Sequence, residues 1–556
     1  MASSTATSST PAHTPATTGP TPDPASQHRN VADIVFANAQ ADPQRIAVRG
    51  PLPAEPGDPR LEITRAQLAG LVTARAQELT AAYSVGERIV LICPTTAEFV
   101  VEFFAAQAAG LIVVPVNPLS TARELRHFLS DSGASAVIAH PVCNSAAQKA
   151  VAELSEGAGT GAAPAGGATD AEAAAGSAPA LAYADIALID AARLGAATEA
   201  GWESYQPVPR TGEDVAVLLY TSGTTGNPKG AILTVDNLVA TGRMCCEACG
   251  GTPDDVFATA LPLFHVFGLV SVLLSAMNCG APITLLPRFN PIEYLQVIQT
   301  DRVTVTGGVP TMWNAVVHAP GDYDVSSLRI AISGGASIAA EVMRQFEQRF
   351  GATITEGYGL TETTANASVN PRDGRIVVGS VGLPTNGQPE LCVKDDEGNR
   401  VAPGEVGEVC VKGVNVMAGY WNNPEATAKV FDDEGFFHTG DLGRMDEDGY
   451  LYIVDRLKDL IIHGGYNVYP REVEEVLYEH PGILEVAVIG IPDEKYGQTV
   501  TAVITPMPGV TLTEDEIEAY TRENLAAYKI PRRIVFVESL PKGATGKILK
   551  RSIEVD

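Results

Sequence analysis

Positive charge is scarce in this chain of 556 residues, which has 38 lysines and arginines against 66 aspartates and glutamates. The formal net charge at pH 7 is -28. An extended nucleic-acid-binding surface needs clustered lysine and arginine side chains to neutralise phosphates. The composition therefore argues against a nucleic-acid partner. A single bound nucleotide remains compatible with it, because that ligand needs only a few local cations.

Cysteine is also sparse, with eight residues spread along the chain, too few for a disulfide framework. Cys245, Cys246 and Cys249 lie on a predicted helix that begins near Thr234, and Cys245 shares a face with Cys249. No fourth zinc ligand is near them in the sequence. We therefore interpret them as buried thiols and not as a zinc site, in a reducing, cytoplasmic setting.

Charged residues are missing altogether between Val256 and Pro287, a length that could span a membrane. Prolines, glycines and a histidine interrupt this segment, so we predict a buried strand-helix-strand unit without a transmembrane helix. Peripheral membrane contact stays open. Residues 1–28 are rich in Thr, Ser, Pro and Ala without an apolar signal-peptide core, which predicts a disordered tail. We expect a cytoplasmic protein.

The segment Tyr220–Gly230, with the sequence YTSGTTGNPKG, concentrates hydroxyls, glycines and one lysine directly after the apolar run Val215–Leu219. Such a run indicates a buried strand that ends in a turn. Glycines let backbone N–H groups approach a ligand closely, hydroxyls donate hydrogen bonds, and Lys229 adds positive charge. The string predicts a phosphate-binding loop, with a solvated turn as the alternative on composition alone.

The two common nucleotide-binding motifs do not occur here. A P-loop has its lysine directly after a glycine and before Ser or Thr, whereas Asn227 and Pro228 precede Lys229. The segment Gly543–Ile548 has the wrong spacing and an isoleucine at the metal-binding position. No G-x-G-x-x-G turn is placed to open a dinucleotide-binding fold. The phosphate loop is therefore of another kind.

The order of apolar and helical patterns indicates an α/β fold. Short apolar runs such as Ile89–Ile92, Leu111–Val116 and Ala136–Ala139 alternate with helical segments, as expected for strands buried on both faces. We predict a large, multi-layer N-terminal domain over residues 29–457 and a small α+β C-terminal domain over residues 458–556.

Within the C-terminal domain we predict a helix over Arg471–Glu479 and strands over Glu485–Ile491, Val500–Thr505 and Arg533–Glu538. Residues 156–180 of the N-terminal domain are almost entirely Gly, Ala, Pro, Ser and Thr with a few acids. That composition predicts a flexible surface insertion.

The phosphate-loop string resembles that of the adenylate-forming superfamily, which includes acyl-CoA synthetases, firefly-type luciferases and peptide-synthetase adenylation domains. Further strings follow in that family's order, and together they cover roughly Val31 to Arg551. They are Leu261–Gly268 (LPLFHVFG), Ser333–Ala336 (SGGA), Tyr358–Glu362 (YGLTE), Thr439–Asp441 (TGD), Asp455–Asp459 (DRLKD) and Pro541–Lys547 (PKGATGK).

This resemblance implies a two-step reaction with ATP, Mg²⁺ and coenzyme A as a co-substrate. A carboxylic acid attacks the α-phosphate of ATP and gives an acyl-adenylate and pyrophosphate. The thiol of coenzyme A then attacks the adenylate and expels AMP. Since the first step brings an anion to a polyanion, the site must supply positive charge and rigid hydrogen-bond donors.

The resemblance also implies which residues bind the nucleotide. Asp441 would accept hydrogen bonds from the ribose hydroxyls, and Arg456 would contact ribose or phosphate, with an interdomain salt bridge as the alternative. The phosphates would contact Thr221, Ser222, Gly223, Thr224, Thr225, Gly226 and Lys229, and the adenine pocket would include Gly334, Gly335, Ala336, Glu356, Gly357, Tyr358 and Gly359.

Four catalytic roles follow from the same resemblance. Lys547 would reach into the site during adenylation and stabilise developing negative charge. Thr361 and Glu362 would lie by the phosphates, where Glu362 would bind Mg²⁺, with a surface carboxylate as the alternative. His265 would lie next to the substrate carboxylate, although a lone histidine in an apolar run is more often a satisfied core residue.

For the second step, Lys458 occupies the family's hinge position, about which the C-terminal domain would rotate. Gly464 and Gly465 would then cover the pantetheine tunnel, where glycine permits close backbone approach. A basic patch of Lys529, Arg532 and Arg533 would contact the phosphates of coenzyme A or be a solvated surface. Candidates for the acyl pocket are Val266, Phe267, Gly308, Val309, Pro310 and Trp313.

Several members of the superfamily fit these residues. The strings Ile332–Ser337 and His463–Pro470 resemble bacterial medium- and long-chain fatty acyl-CoA ligases most. An aromatic, cinnamate-type acid is the main alternative substrate. An enzyme that loads a carrier protein would share the first step, and a luciferase-like oxygenase would add chemistry to it. Asp236, the acid just after the phosphate loop, looks like part of a helix cap and not like a partner for an amino-acid ammonium.

Overall fold

A computed structural model describes residues 30–55, 58–159, 181–221, 228–371, 374–385 and 387–555. The predicted tail lies outside these residues. So does the predicted insertion from residue 160 onward, while residues 156–159 form the end of a helix. The described chain has a large N-terminal α/β domain and a smaller C-terminal domain, as predicted.

Two mostly parallel sheets form the centre of the N-terminal domain. Their inner strands are largely buried and mostly apolar, as expected where helices cover both faces. The six-stranded sheet has the order β6 (Ala182–Asp185), β5 (Ala136–Ala139), β3 (Arg88–Ile92), β4 (Ile112–Val116), β7 (Val215–Thr221), β8 (Lys229–Thr234). The eight-stranded sheet has the order β14 (Ser368–Val369), β13 (Ile354–Tyr358), β12 (Ile330–Ser333), β11 (Val305–Gly308), β9 (Phe257–Thr259), β10 (Ile283–Leu285), β1 (Ile46–Arg49), β2 (Glu62–Thr64).

Helices pack between and outside these sheets. Several begin at side-chain caps; Thr64, Thr121 and Thr234 each accept a hydrogen bond from a backbone N–H in the first turn. The helices are α1 (Asp33–Ala41), α2 (Arg65–Ala82), α3 (Ala97–Ala108), α4 (Ala122–Ser132), α5 (Asn144–Gly159), α6 (Ala191–Ala197), α7 (Val235–Ala248), α8 (Ser275–Cys279), α9 (Pro291–Asp301), α10 (Pro310–His318), α11 (Ala340–Phe350) and α12 (Pro424–Ala428).

The uncharged segment Val256–Pro287 forms a buried strand-helix-strand unit, which confirms its sequence interpretation. Strands β9 and β10 pair in parallel inside the eight-stranded sheet. Between them, a π-helix over Phe267–Leu274 continues directly into α8. Across the described residues, none of the helices has both the length and the apolar character needed to traverse a bilayer.

A four-stranded antiparallel sheet follows, with the order β15 (Glu390–Lys394), β16 (Gly407–Lys412), β17 (Phe437–Met445), β18 (Leu451–Arg456). The next strand starts only at Ile461, in a separate sheet. The predicted domain boundary at residue 458 falls in this connection and stays a prediction.

The C-terminal domain has its own sheet and apolar core. Strands β20 (Tyr466–Val468), β19 (Ile461–His463), β22 (Gly497–Pro506) and β21 (Ile483–Asp493) lie in that order, and β23 (Arg533–Phe536) pairs with β22. Helices α13 (Pro470–Tyr478) and α14 (Glu514–Asn524) cover it. The predicted helix and three predicted strands are therefore confirmed, with their ends shifted by at most three residues.

The C-terminal domain is docked against helix α10 of the N-terminal domain. Thr311 Oγ1 donates to the carbonyl of Gly546, and Asn314 Nδ2 donates to the carbonyl of Leu484, each at 2.8 Å. These bonds bring the loop before the C-terminus over the carboxyl ends of strands β11 and β12.

Candidate active site

A cleft of about 1530 Å³ lies where the two domains meet. The carboxyl ends of the parallel strands β12 and β13 open into it, which is the usual ligand position in α/β sheets. The cleft brings together most of the residues singled out from the sequence. They are Thr221, Lys229, His265, Gly334, Gly335, Ala336, Gly357, Tyr358, Gly359, Thr361, Glu362, Asp441, Arg456 and Lys547.

The described lining of the cleft does not include the other predicted nucleotide-binding residues. Ser222, Gly223, Thr224, Thr225 and Gly226 are outside the described residues, so only the two ends of the phosphate loop are described. Glu356 is buried behind the cleft. Gly464 and Gly465 form the turn between β19 and β20, with φ of 60° and 83°, and do not line the cleft in this docked arrangement.

The carboxylate of Asp441 is held by two neighbouring side chains of the cleft lining. Tyr358 donates a hydrogen bond from its hydroxyl to Asp441 Oδ2 at 2.7 Å, and Arg456 Nε lies 3.0 Å from Asp441 Oδ1. Strand pairing fixes this geometry, since Asp441 on β17 lies opposite Arg456 on β18. A carboxylate fixed in this way presents its remaining lone pairs in one direction, as a receptor for two adjacent hydroxyls must.

Lys547 enters the cleft from the C-terminal domain. A Cβ atom at Gly335 would lie 2.7 Å from Lys547 Cε, so only glycine leaves room for the lysine at this position. Gly335 also has a φ of 84°, in the left-handed region that favours glycine. Burial, together with the positive charge of Arg456, lowers the pKa of Lys547 to about 8. The carboxylates near Lys547 therefore do not fully compensate the burial of its ammonium. The cleft is suited to a ligand that brings further negative charge.

Glu362 and Lys229 meet at Tyr420, on the side of the cleft nearest the phosphate loop. The hydroxyl of Tyr420 donates to Glu362 Oε1 at 2.9 Å, and Lys229 Nζ lies 5.0 Å from the centre of the Tyr420 ring. One carboxylate fits Mg²⁺, which usually takes one or two protein oxygens plus phosphate oxygens and water. Within the described residues no three His, Cys, Asp or Glu side chains are grouped to hold a metal by themselves.

His265 lies in the cleft wall just before the π-helix. Burial, and then the charge of Lys547, lower the pKa of His265 to about 3, so the ring is neutral at pH 7. The backbone N–H of Phe267 donates to His265 Nδ1 at 3.3 Å. This assigns the ring proton to Nε2, which makes His265 a hydrogen-bond donor and not a strong base.

Beyond His265 the cleft is lined by residues of the π-helix and of strands β11 and β12. Phe267 lies against Gly307 and Gly334, where added Cβ atoms would approach its ring to 3.3 and 3.2 Å. Of the predicted pocket residues, Val266, Phe267 and Pro310 line the cleft, whereas Gly308, Val309 and Trp313 do not. Trp313 is fully buried, and its Nε1 donates to the carbonyl of Gly308 at 3.1 Å.

Sequence reasoning missed three residues of this region. Tyr420 connects Glu362 to Lys229, and Thr311 and Asn314 dock the C-terminal domain. None of the three stands in a string that suggests chemistry. The one sequence signal near them is Pro310. This proline marks the start of helix α10, at the predicted acyl pocket.

Arg532 of the predicted basic patch lies beside the Gly464–Gly465 turn of the C-terminal domain. Arg532 Nε lies 3.2 Å from His463 Nε2, and its guanidinium lies over the Tyr496 ring at 4.7 Å. Lys529 pairs with Glu472. Arg532 is thus the member of the patch that faces the turn.

Comparison with known proteins agrees with this architecture. The family model described as AMP-binding enzyme matches residues 35–421, and that of the AMP-binding enzyme C-terminal domain matches residues 472–547. A long-chain-fatty-acid–CoA ligase of Bacillus subtilis is 43% identical over 344 residues, which cover 61% of both chains. A feruloyl-CoA synthase of an Amycolatopsis species is 37% identical over 88% of this chain and 93% of its own.

Solved structures show the same fold. The ATP-bound crystal structure of MatB from Rhodopseudomonas palustris superposes with a TM-score of 0.81 at 32% identity, and covers 94% of this chain and 98% of that one. The o-succinylbenzoate CoA synthetase of Bacillus subtilis, in complex with its acyl-adenylate, gives a TM-score of 0.76 at 28% identity. The chain belongs to the AMP-binding enzyme family, in the acyl-CoA synthetase branch of the adenylate-forming superfamily.

Proposed function

We propose that this protein is an AMP-forming acid–thiol ligase that converts a carboxylic acid, ATP and coenzyme A into an acyl-CoA thioester, AMP and pyrophosphate. The position of Lys547 carries the proposal. This lysine leaves its own domain, is buried against Gly335, and faces Asp441 and Glu362 across the cleft. A cation buried at such cost is explained by a ligand that brings negative charge.

In the first step the residues of the cleft would bind ATP and orient the acid. Asp441 would accept hydrogen bonds from the ribose hydroxyls, and Lys229 would contact the outer phosphates. Lys547 would neutralise charge that develops as the carboxylate oxygen bonds to the α-phosphorus and pyrophosphate leaves. Mg²⁺ bound through Glu362 would supply charge neutralisation on the phosphate oxygens. Neutral His265 would donate from Nε2 to the acid.

In the second step the thiol of coenzyme A would attack the acyl carbonyl carbon, and the C–O bond to AMP would break. Lys547 and the Gly464–Gly465 turn belong to the same domain but lie in different places relative to the cleft. A rotation of the C-terminal domain about the connection at Lys458 would withdraw Lys547 from the cleft and bring the Gly464–Gly465 turn to it. Arg532 would then bring positive charge to the phosphates of coenzyme A.

A medium- or long-chain fatty acid is our first candidate for the acid. The apolar side chains of Val266, Phe267, Val305 and Ile332 in the cleft wall support it. An aromatic acid is the second candidate. It is supported by the aromatic ring of Phe267 in the cleft wall, for which the glycines at positions 307 and 334 leave room, and by the likeness to a feruloyl-CoA synthase.

Pyrophosphate release over a panel of carboxylic acids, with and without coenzyme A, tests the proposal. We expect acid-dependent release that coenzyme A accelerates, with AMP and a thioester as products. Release that no acid stimulates would refute adenylation. Release that coenzyme A never accelerates would favour transfer to a carrier protein instead.

A further inference from the structure

Strand β17 contains a bulge at the place where it carries Asp441. Between two successive pairs with β16, strand β17 has three residues, 439–441, opposite the single residue Val409. Such an insertion is a β-bulge, which bends its strand and changes the direction of the side chains that it carries. All three residues of the bulge line the cleft. The bulge therefore decides how the carboxylate of Asp441 is presented to a ligand.

A bulge removes backbone groups from the ladder, and two side chains replace the lost partners here. Thr439 Oγ1 donates to the carbonyl of Val409 at 2.8 Å and accepts from the backbone N–H of Asp441 at 3.1 Å. The N–H of Gly440 donates to Glu408 Oε1 at 2.8 Å. Gly440 has a φ of 73°, in the left-handed region that favours glycine. Without the Glu408 carboxylate, this N–H would lose its acceptor.

The carboxylate of Glu408 is itself held by a chain of polar groups. Its other oxygen, Oε2, lies 2.7 Å from His438 Nδ1, and His438 Nε2 lies 3.3 Å from Asp432 Oδ2. Lys394 Nζ lies 2.6 Å from the same oxygen of Asp432. The Lys394 side chain is only 2% exposed, so its charge needs a fixed counterion. A connected network of this kind holds Glu408 in one orientation.

We infer that Glu408 is a positioning residue for the nucleotide, because it holds the 439–441 bulge and through it directs Asp441 at the ribose. This inference rests on the proposed function, which assigns the ribose hydroxyls to Asp441. Tyr358 and Arg456 fix the carboxylate oxygens of Asp441, whereas Glu408 fixes the backbone beside it. A misplacement of about 1 Å can cost ~10²-fold in rate, so the backbone bond affects nucleotide use.

The test compares ATP with 2′-deoxyATP and 3′-deoxyATP, each of which lacks one ribose hydroxyl. It measures kcat/KM for pyrophosphate release by the full chain, with the best acid of the panel at saturation. We expect the native enzyme to prefer ATP over at least one analogue by about tenfold or more, because a site that hydrogen-bonds a hydroxyl discriminates against the analogue that lacks it.

Glu408→Ala should remove this preference. We expect it to lower kcat/KM for ATP by about tenfold or more, chiefly through a higher KM, because the lost contact is made in the ground state as well. The kcat/KM for the discriminated analogue should stay within about threefold of the native value. The two changes, to the protein and to the nucleotide, are then non-additive, as expected when both act on one contact.

Two further variants and a control separate positioning from stability. Glu408→Gln keeps an oxygen that accepts from the N–H of Gly440, so its kcat/KM for ATP should stay within about threefold of the native value. Thr439→Val removes the hydroxyl bonds of the bulge and should reproduce the selective loss in case Glu408→Ala does not fold. Glu390→Ala removes an exposed carboxylate of the same sheet, paired with Arg400, and should leave the preference for ATP unchanged.

Several results would overturn the positioning role while the ligase activity with ATP remains. One is no loss, or an equal loss with ATP and the analogue, in both Glu408→Ala and Thr439→Val, since a general loss of structure penalises both nucleotides alike. Others are a Glu408→Gln variant as slow as Glu408→Ala, and a native enzyme that uses both analogues as well as ATP. Pyrophosphate release that no acid stimulates would instead overturn the proposed function, and this inference with it.

Discussion

Replacement of Lys547 by alanine should separate the two half-reactions. The pKa of about 8, against 10.5 for an exposed lysine, corresponds to protein surroundings that disfavour the ammonium by about 3 kcal/mol, at ~1.36 kcal/mol per pKa unit. On the proposed function, the negative charge of ATP and of the transition state would offset this cost. Loss of one such preorganised donor typically slows a reaction about 10²–10³-fold. We expect that loss in adenylate formation.

The variant should still dock its C-terminal domain. Thr311 binds the backbone carbonyl of Gly546, and Asn314 binds that of Leu484, so neither bond involves the Lys547 side chain. Removal of a buried charge also relieves the docked state of its desolvation cost. Slower adenylation would therefore report the missing charge and not a missing domain contact.

The assay follows each half-reaction by itself. Single-turnover pyrophosphate release measures adenylation, and thioester formation from supplied acyl-adenylate and coenzyme A measures the second step. We expect the second rate to stay within about threefold of the native rate, since the effect belongs to one transition state only. Lys149→Ala, on the exposed face of α5, is the control for loss of a lysine. Equal losses in both steps would refute the assigned role.

Four further outcomes are expected. Adenylation kcat/KM should fall as pH rises through about 8, because the protonated Lys547 is the active form, and Lys547→Ala should lack this decline. Gly335→Ala should displace Lys547 and slow adenylation more than thioester formation, measured as above. Lys458→Pro, which restricts the backbone at the proposed hinge, should slow thioester formation more than adenylation. Burial raises the pKa of Glu356 to about 7, so the stability that its protonated form contributes is lost as the pH rises from 4.5 to 7. Glu356→Gln should therefore raise the Tm, relative to the native protein, by more at pH 8 than at pH 5.

Local patterns were enough to predict many elements of the fold. The apolar run before the phosphate loop is strand β7, the Thr234 cap begins α7, and the uncharged segment after Val256 is buried strand, helix and strand. Each of these features is determined by residues close together in the sequence, through a helix cap, a repeating apolar period or a turn. The prediction succeeded because short-range physics determines such features.

The site depended on contacts that no local pattern reveals. Tyr358 and Asp441 are 83 residues apart and meet only because β13 and β17 belong to sheets that pack at the cleft. Resemblance to a family brought the two together, since spacing alone could not. Tyr420 was missed because a tyrosine before a short helix looks the same whether it binds a carboxylate or not.

The buried lysine also gives a reason for the order of the two steps. Before ATP binds, Lys547 is opposed by burial and by Arg456, and is favoured only by Asp441 and Glu362. ATP adds several negative charges, so nucleotide binding and domain docking stabilise each other. Once pyrophosphate leaves, most of that charge leaves with it, while the desolvation cost of the ammonium remains. On the proposed mechanism the docked arrangement would then be weakened when the adenylate must be exposed to coenzyme A, and this would favour rotation about the proposed hinge at Lys458.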